Sequence, residues 1–304
     1  MKIKIVQAHI ALLLVNVLYG ASHVLAKGVM PNYLSPTVFI LFRIVGATAL
    51  FWLVLSFSKR SEIAPKDFIL LATCGLFGVA INQLFFFHGL NLSSAFNSGI
   101  IMALNPIMVI ILSFLFLKER PTAFKITGIT LGATGAILLT LKASTIVGDS
   151  MLGNVFLFLN ALSYAVYLVL AKPLMKKYSP IQVITWVFTF GLIFVLLFPP
   201  TLSELFQTNF EQIPHSIWYK ISYVVIGVTF LTYLLTIFGL KYLSATTSSA
   251  YIYTQPVMVL LFTFLFAIIG WSADYRSSIT SEKILYMFVI FIGVYMTSKS
   301  SSKK

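Results

Sequence analysis

The sequence contains 304 residues, of which 59% are hydrophobic and only 10% are charged. Soluble globular domains carry about 25% charged residues. The composition therefore excludes a soluble domain and requires lipid as the solvent for much of the chain. A net charge of +13 would fit nucleic-acid binding in a soluble protein, but the positions of the basic residues give it another explanation below. The single cysteine, Cys74, excludes an internal disulfide framework.

Ten apolar segments are long enough to cross about 30 Å of hydrocarbon as helices. Helices are required because backbone polar groups in lipid must be hydrogen-bonded within their own segment, whereas barrel strands would be only about ten residues long. In chain order, the predicted spans are residues 8–28, 36–57, 68–90, 94–117, 123–141, 151–174, 180–198, 217–240, 246–269 and 283–298.

The basic residues predict how these spans are oriented. With the N-terminus inside, 15 of the 21 Lys and Arg residues fall on the inner side. Arg43 lies within a span, and the five on the outer side are Lys27, Lys142, Lys220, Arg276 and Lys283. This asymmetry follows the positive-inside rule and predicts a multi-pass cell-membrane protein with both termini cytoplasmic. The predicted partner of the charge is the anionic lipid bilayer, and no nucleic acid is expected.

The two halves of the chain resemble each other. Asn16 and the Ser-Pro pair at 35–36 recur 144 residues later, at Asn160 and 179–180. Residues 89–116 recur 150 residues later, with 11 identities in 28 positions that include shared Gly, Ser and Pro. Each half holds five spans, an odd number, so the second half must enter the membrane inverted, as in secondary transporters. The predicted fold is all-α integral membrane, with ten transmembrane helices as two inverted five-helix repeats, residues 1–145 and 146–304, in one transport domain.

Polar residues recur at helical spacing on several spans. Polar groups in hydrocarbon are costly unless they are paired or wetted, so these faces are expected to point inward. The candidate substrate-binding residues are Asn16, Tyr19, His23, Asn82, Gln83, Asn97, Asn105, Asn160, Tyr164, Tyr167, Tyr233, Tyr251 and Gln255. Because both halves contribute at matched positions, the set favours a central, aromatic, largely neutral cavity for a small molecule. For any single residue, the alternative is an interhelical hydrogen bond, worth about 0.6 kcal/mol on average.

Three further residues within the spans have structural and functional interpretations. Pro106 and Pro256 fall near the middle of the fourth and ninth spans, where each predicts a kink that is either static or a hinge. Arg43 is the basic residue well inside a span, at a cost of about 2.5–3.5 kcal/mol on insertion scales. It lies about 10 Å from the outer end of its helix. Snorkelling to the headgroups therefore favours a structural anchor, with anion binding as the alternative.

Several motifs resemble the EamA-type transporters of the drug/metabolite transporter superfamily. The first span carries Leu-Tyr-Gly-Ala-Ser at 18–22, and the second carries Leu-Phe-Arg at 41–43. His-Gly-Leu at 88–90 leads through Asn-Pro at 105–106 to Leu-Lys-Glu-Arg at 117–120. The family usually has a second Glu after the ninth helix, but the position matching Glu119 here is Ile269, and residues 272–281 look inserted. The resemblance covers nearly the whole chain and implies a membrane transporter, with amino-acid or related metabolite export as the expected activity.

Other functions remain open on the sequence. No carboxylate lies near the middle of a predicted span, so proton-coupled drug efflux would depend on His23 or His88. A sugar-phosphate or nucleotide-type exchanger would depend on Arg43. The chain lacks the metal clusters, nucleophile–base pairs and paired carboxylates of intramembrane enzymes, so neither enzymatic activity nor a cofactor is expected. The leading prediction is a secondary transporter that exports a small neutral or zwitterionic metabolite by alternating access.

Glycines on the fifth span bear on the oligomeric state. Gly128, Gly132 and Gly135 share one helical face and permit close helix packing. The same face serves equally well within one chain or between two subunits. Monomer and homodimer are therefore both compatible with the sequence.

Overall fold

The computed structural model describes residues 2–26, 29–30, 33–92, 101–102, 104–143, 150–268 and 281–299, and these residues are almost entirely helical. The helices are α1 (Lys2–Ala26), α2 (Pro36–Ser56), α3 (Pro65–Leu92), α4 (Asn105–Leu117), α5 (Ala123–Ala143), α6 (Met151–Lys177), α7 (Pro180–Leu196), α8 (Pro199–Gln207), α9 (His215–Tyr242), α10 (Ala245–Ala250), α11 (Gln255–Ile268) and α12 (Ser281–Lys299). Short 3₁₀ turns occupy Phe210–Gln212 and Tyr251–Thr254. No strand occurs in the described ranges.

The helices α2 and α7 begin in the same way. Ser35 precedes Pro36, and its side-chain oxygen accepts a hydrogen bond from the Val38 amide at 3.2 Å. Ser179 precedes Pro180 and accepts from the Gln182 amide at 3.3 Å. Serine satisfies an otherwise unpaired amide of the first turn, and proline in that turn gives up only an amide that would be unpaired anyway. The repeated Ser-Pro pair therefore encodes one local structure twice.

Length and apolarity identify a multi-pass membrane protein. Within the described residues, five helices have the length and apolar composition to span a membrane, namely α1, α2, α3, α6 and α9. The helix α7 adds a sixth if it is counted with α8, which it meets at 75°. The helix α4 and the Ile284–Thr297 part of α12 are apolar but shorter. The all-helical membrane class is confirmed, whereas the number of ten spans and the inverted repeat remain predictions.

Wider π-helical turns interrupt α3 and α9 at equivalent places. They occupy Leu76–Ala80 in α3 and Val224–Leu231 in α9. Such segments inside α-helices are rare and occur frequently at functional sites. Candidate site residues follow each segment, because Asn82 lies two residues after the end of the first and Tyr233 lies two residues after the end of the second.

Contacts between the helices connect the two halves of the chain in matched pairs. The helix α3 packs on α6, and its counterpart α9 packs on α1. Likewise, α4 packs on α6, and α11 packs on α1. The helices α2 and α7 contact each other, as do α5 and α12, so corresponding helices of the two halves pair directly. The described core therefore lies between the halves rather than inside either one.

The glycines of α5 are used within the chain. A side chain added at Gly128 would meet the Gly293 carbonyl oxygen of α12 at 2.8 Å, and one added at Gly132 would meet the Tyr253 ring at 2.4 Å. Such close approach of backbones is the packing that small residues permit in membranes. This face of α5 is therefore covered by α12 and by the 3₁₀ turn before α11.

Both prolines predicted to kink a helix interior lie instead at helix beginnings. Pro106 is in the first turn of α4, preceded by a turn in which the Leu104 amide donates to the Ile101 carbonyl at 3.0 Å. Pro256 is the second residue of α11, directly after the 3₁₀ turn. Position within the first helical turn costs proline no internal hydrogen bond. A turn therefore precedes the helix that contains each proline. A hinge role for the two prolines stays a prediction.

Candidate functional site

A hydrogen-bonded pair joins the two halves at the middle of the bundle. Gln83 Nε2 on α3 donates to the Tyr233 hydroxyl on α9 at 2.8 Å, and both side chains are buried. The Tyr233 hydroxyl in turn donates to the Gly78 carbonyl at 3.0 Å. Gly78 lies in the π-helical segment of α3. The pair is therefore bonded to the irregular part of that helix.

Asparagines connect α6 to α3 and α4. Asn160 Nδ2 donates to the Asn82 carbonyl at 2.7 Å, and Asn82 Nδ2 donates weakly to the Asn160 carbonyl at 3.5 Å. Asn105 Nδ2 donates to the Ala161 carbonyl at 2.7 Å. All three asparagines are buried. Amide donors to neighbouring backbones hold α6 in a fixed position relative to the first half, which supports the predicted inward orientation of these polar faces.

Four tyrosines form a group beside this pair, here called the tyrosine cluster, which comprises Tyr19, Tyr164, Tyr167 and Tyr233. The rings of Tyr164 and Tyr167 lie 5.9 Å apart. The Tyr19 hydroxyl accepts a hydrogen bond from Thr232 at 3.3 Å, and the Tyr164 hydroxyl lies near Thr236. The Tyr164 hydroxyl also interacts electrostatically with those of Tyr19 and Tyr233. The structure therefore brings four of the predicted aromatic residues from α1, α6 and α9 into one place.

Arg43 is fully inside the bundle, which corrects the snorkelling prediction. Its side chain is only 4% exposed, and Nε donates to Thr229 Oγ1 on α9 at 3.0 Å. Its guanidinium carbon lies 4.7 Å from the centre of the Phe87 ring and 5.8 Å from that of Phe39. Snorkelling requires the stem to run toward the headgroups, but α2 presents this face to α3 and α9. The guanidinium is close enough to Tyr19 and Tyr233 of the tyrosine cluster to interact electrostatically with both.

Several polar atoms in the same region have no hydrogen-bond partner among the described residues. They include three buried amide oxygens, Asn16 Oδ1, Gln83 Oε1 and Asn105 Oδ1, and the Tyr167 hydroxyl. Most buried polar atoms in proteins are paired, so each unpaired one requires an explanation. The three amide oxygens are acceptors, and they lie on α1, α3 and α4 around the interface between the halves.

The remaining predicted residues lie elsewhere. The Tyr251 hydroxyl is bonded to His9 Nδ1 at 2.7 Å, in a separate apolar cluster of α1, α5, α12 and the 3₁₀ turn, so it does not join the central group. Gln255 is the first residue of α11 and is partly exposed. Asn97 lies outside the described residues, as does the side chain of His23. His88, the other candidate for proton coupling, has Nε2 at 3.2 Å from Thr37 Oγ1.

Thr229 and Phe87 contact the central group but were not among the predicted residues. Thr229 lies four residues before Tyr233, and Phe87 lies four residues after Gln83, so each shares a helical face with a predicted residue. Helical spacing could therefore have identified both. Neither was selected, because a lone threonine and a phenylalanine are not unusual within an apolar span.

Polar contacts also join the halves at the end of the bundle predicted to be cytoplasmic, here called the inner end. Lys177 Nζ forms an ion pair with Asp67 at 2.8 Å, and the Tyr178 hydroxyl donates to the same carboxylate at 2.7 Å. Gln182 Oε1 accepts hydrogen bonds from the amide and hydroxyl of Ser61 at 3.2 and 3.0 Å. Beside these contacts lies a cavity of about 170 Å³ lined in part by Trp52, Arg60 and Trp186.

No group of three His, Cys, Asp or Glu residues in the described part of the chain could hold a metal ion. The central group instead consists of neutral amides, hydroxyls and aromatic rings around one guanidinium. The chain matches the EamA-like transporter family over residues 6–141 and 151–299. This protein belongs to the EamA-like transporter family. The family matches the chain twice, once in each half, and the central group lies between the two matched regions.

Relatives of this EamA-like protein are named as transporters. It is 28% identical to the uncharacterized transporter YyaM of Bacillus subtilis over 84% of this chain and 85% of that one. It is 27% identical to an uncharacterized transporter of Archaeoglobus fulgidus, covering 76% and 79% of the two chains. It is also 27% identical to the WAT1-related protein At4g30420 of Arabidopsis thaliana, covering 60% and 58%. Together with the apolar helices, these relatives identify a multi-pass membrane transporter.

A solved crystal structure has the same fold as this EamA-like protein. It superposes with a TM-score of 0.74, covering 99% of this chain and 98% of the other, at 18% sequence identity. At this level of identity, the likeness establishes the fold alone.

Proposed function

We propose that this EamA-like protein is a secondary transporter that exports a small neutral or zwitterionic metabolite, an amino acid or a related compound, by alternating access. Its ten spans form two inverted five-helix repeats, and the substrate binds between them near the membrane midplane. The observation that carries the proposal is the Gln83–Tyr233 hydrogen bond of 2.8 Å. These residues correspond at a spacing of 150, so equivalent positions of the two halves meet at the centre of the bundle.

The pattern of helix contacts supports the inverted repeat. A two-fold relation between the halves requires that every contact between non-equivalent helices have a counterpart with the roles exchanged. Packing of α3 on α6 and of α9 on α1 is such a pair, as is packing of α3 on α7 and of α9 on α2. The π-helical segments of α3 and α9 fall within the same correspondence. Transporters with inverted repeats hold substrate where broken or irregular helices meet at mid-depth.

The chemistry of the central group supports the substrate class. Amide and phenol groups recognise a polar, compact solute through hydrogen bonds, and the tyrosine rings supply apolar walls. Three unpaired amide oxygens offer acceptors to a donor-bearing group such as an ammonium. Described carboxylates lie near the ends of the long apolar helices or between those helices, as Glu204 of the short α8 does, rather than in this group. This favours transport driven by the substrate gradient over proton-coupled drug export.

Efflux from proteoliposomes tests this function. Vesicles containing the purified protein would be loaded with labelled amino acids, and efflux would be followed with and without a pH gradient. We expect selective efflux that is independent of the gradient and falls at least tenfold in Tyr164→Ala and Asn160→Ala. The matched control Tyr219→Ala changes an exposed tyrosine of α9 and should transport normally. Absence of efflux for every amino acid would contradict the proposed class, and acceleration by an inward proton gradient would contradict gradient-independent transport.

A sugar-phosphate or nucleotide-type anion exchanger is a second candidate. It is favoured by one observation, the inward orientation of Arg43, whose guanidinium lies beside Tyr19 and Tyr233. Exchange of labelled inorganic phosphate or glucose 6-phosphate across the same vesicles distinguishes the two. Phosphate dianions are usually held by several cations, and Arg43 is the one that the described central group contains.

A further inference from the structure

Arg43 is a buried cation that has no carboxylate partner in the described part of the chain. Its Nε has a partner in Thr229, but a guanidinium carries five N–H donors in a planar fork that matches a carboxylate. Among the described carboxylates, none forms an ion pair with it. The sequence also has no Asp or Glu near the middle of a predicted span. Burying an uncompensated charge costs several kcal/mol, so this position requires an explanation.

The fold itself does not require an arginine at this position. At the spacing of 144 that relates α2 to α7, the position equivalent to Arg43 is Val187. At the spacing of 150 that relates α3 to α9, the equivalents of Thr229 and Phe87 are Val79 and Ile237. All three are aliphatic and 0% exposed, and they belong to one hydrophobic core. The second half therefore builds the same helix contacts with apolar residues, and the charge is specific to the first half.

Acceptor oxygens without partners among the described residues lie on α3 and α1, one helical turn along the chain from residues that interact with this cation. Gln83 Oε1 is unpaired, and it precedes Phe87, whose ring lies against the guanidinium, by four residues on α3. Asn16 Oδ1 is also unpaired and precedes Tyr19 by three residues on α1. Residues three or four apart share one face of a helix. A cation and acceptor groups on the same faces of these helices are complementary to a molecule that carries a carboxylate close to an ammonium.

We propose that Arg43 is the residue that selects the transported molecule by binding its carboxylate, while the amide oxygens of Asn16 and Gln83 accept hydrogen bonds from its ammonium. Thr229 positions the guanidinium through Nε, and the Phe87 ring packs against it. The two terminal nitrogens would make the bidentate contact with the carboxylate. This proposal rests on the proposed function and names the group by which its substrate is recognised. The substrate is a monocarboxylate zwitterion rather than a phosphate ester.

Matched pairs of competitors test the proposal. Counterflow of a labelled amino-acid mixture would be measured in proteoliposomes, with each unlabelled amino acid compared with its carboxamide, which keeps the side chain and ammonium but loses the carboxylate charge. We expect the acid to compete at least tenfold better than the amide in the native protein. Arg43→Gln should abolish this preference, and Arg43→Lys should retain part of it because it keeps the charge. The control Arg60→Gln removes an exposed arginine at the inner end and should keep the full preference.

A binding measurement separates this proposal from the proposed function. Thermal unfolding of the detergent-solubilised protein would be recorded with 3-phenylpropionate, with its amide and with inorganic phosphate. This measurement requires no transport. The proposal is supported if 3-phenylpropionate stabilises the native protein and its amide and phosphate do not. This stabilisation should be lost in Arg43→Gln and partly kept in Arg43→Lys. The result would support the proposal even if no amino acid is exported. Equal acid-over-amide preference in the native protein and Arg43→Gln would overturn it and leave Arg43 a structural residue. A preference for phosphate would overturn it in favour of anion exchange.

A substitution of Thr229 provides a second test in case the Arg43 variant does not fold. If Arg43→Gln does not fold, Thr229→Val removes the acceptor of Nε, together with the hydroxyl's own hydrogen bond to the Val224 carbonyl, and leaves the arginine in place. We expect Thr229→Val to weaken competition by the acid about threefold to tenfold and to leave competition by the amide unchanged. Equal weakening for both compounds would indicate a packing defect and overturn the selective role.

Discussion

Gln83 and Tyr233 occupy equivalent positions of the two halves of the chain and are hydrogen-bonded to each other at 2.8 Å. The contact is asymmetric, because an amide donates to a phenol that then donates to the Gly78 carbonyl. The repeat thus brings the two equivalent positions together, and divergence between the halves provides a hydrogen-bond donor at one position and an acceptor at the other. A duplicated glutamine or tyrosine at both positions would place identical groups face to face.

A double-mutant cycle measures this contact. Tyr233→Phe removes the hydroxyl and leaves Gln83 Nε2 buried without its acceptor, so we expect a loss of about 1–3 kcal/mol in the free energy of unfolding. Gln83→Leu removes the other partner, and the double variant should be less destabilised than the sum of the single variants by about 1 kcal/mol. Denaturant unfolding in detergent gives the three values. Tyr219→Phe, at an exposed tyrosine of the same helix, should change stability by less than 0.5 kcal/mol, and an additive cycle would show that the contact contributes nothing.

The sequence predicted the members of the central group better than their arrangement. Helical spacing selected Asn82, Gln83 and Asn160 because a buried polar residue within an apolar span has few alternatives to an inward face. Which residue bonds to which depends on the rotation of each helix, and the pattern of a single helix does not contain it. Pairing of Asn160 with Asn82, on different halves, required the structure.

The orientation of Arg43 was predicted wrongly because the sequence of α2 does not show which face of the helix meets the core. The helix α2 is apolar on nearly every side, so there is no polar stripe to indicate which face meets the core. Depth along the helix was the only information, and it favoured snorkelling. The π-helical segments of α3 and α9 were missed for a related reason, since no residue type marks a wider turn. Kinks within helices were predicted at Pro106 and Pro256, whereas each proline lies in the first turn of a helix that follows a turn.

A pair of glycines in the π-helical segments gives a second prediction. A methyl group at Gly78 would lie 2.4 Å from the Tyr167 ring, whereas one at Gly227 would meet its nearest neighbour, Tyr223, at 3.4 Å. We therefore expect Gly78→Ala to destabilise the protein by about 1–3 kcal/mol through overpacking. Gly227→Ala should be neutral or stabilising by up to about 1 kcal/mol, because alanine favours helix.

Thermal unfolding of both glycine variants gives the comparison, and Gly78→Ala with Tyr167→Leu should recover part of the loss. Equal effects at Gly78 and Gly227 would show that the close contact with Tyr167 does not limit the packing of α3 on α6. Transport by Gly78→Ala should also fall, because the backbone shift that relieves the clash with the Tyr167 ring would displace the Gly78 carbonyl that accepts from Tyr233.

Lys172 provides a third prediction at the inner end. Its Nζ on α6 donates to the carbonyls of Leu240 and Leu243 at the end of α9. These carbonyls belong to a helix terminus, where partners within the helix are lacking, and a cation there also complements the helix dipole. Lys172→Met should lower the free energy of unfolding by about 1–3 kcal/mol, since hydrogen bonds from charged groups are stronger than neutral ones.

The control for this variant is Lys176→Met, one turn further along α6 and exposed to solvent. It removes the same charge from the same helix, so the difference between the two variants isolates the capping contact. Equal stabilities in denaturant unfolding would contradict a stabilising role for Lys172.

Separation of the halves at the inner end can be followed through Cys74, the single cysteine of the chain. Cys74 is buried on α3, seven residues beyond Asp67, which is paired with Lys177 of the second half. Since Lys177 is 47% exposed, the ion pair stabilises the closed inner end by at most about 1 kcal/mol. Its loss should therefore raise the population with an open inner end by up to about fivefold. We expect maleimide labelling of Cys74 to accelerate by that factor in Asp67→Asn and Lys177→Gln.

Two controls test this interpretation. The charge swap of Asp67→Lys with Lys177→Asp should restore slow labelling, and Lys66→Gln, which alters the exposed neighbour of Asp67, should leave the rate unchanged. Labelling that is equally slow in every variant would show that this contact does not hold the two halves together.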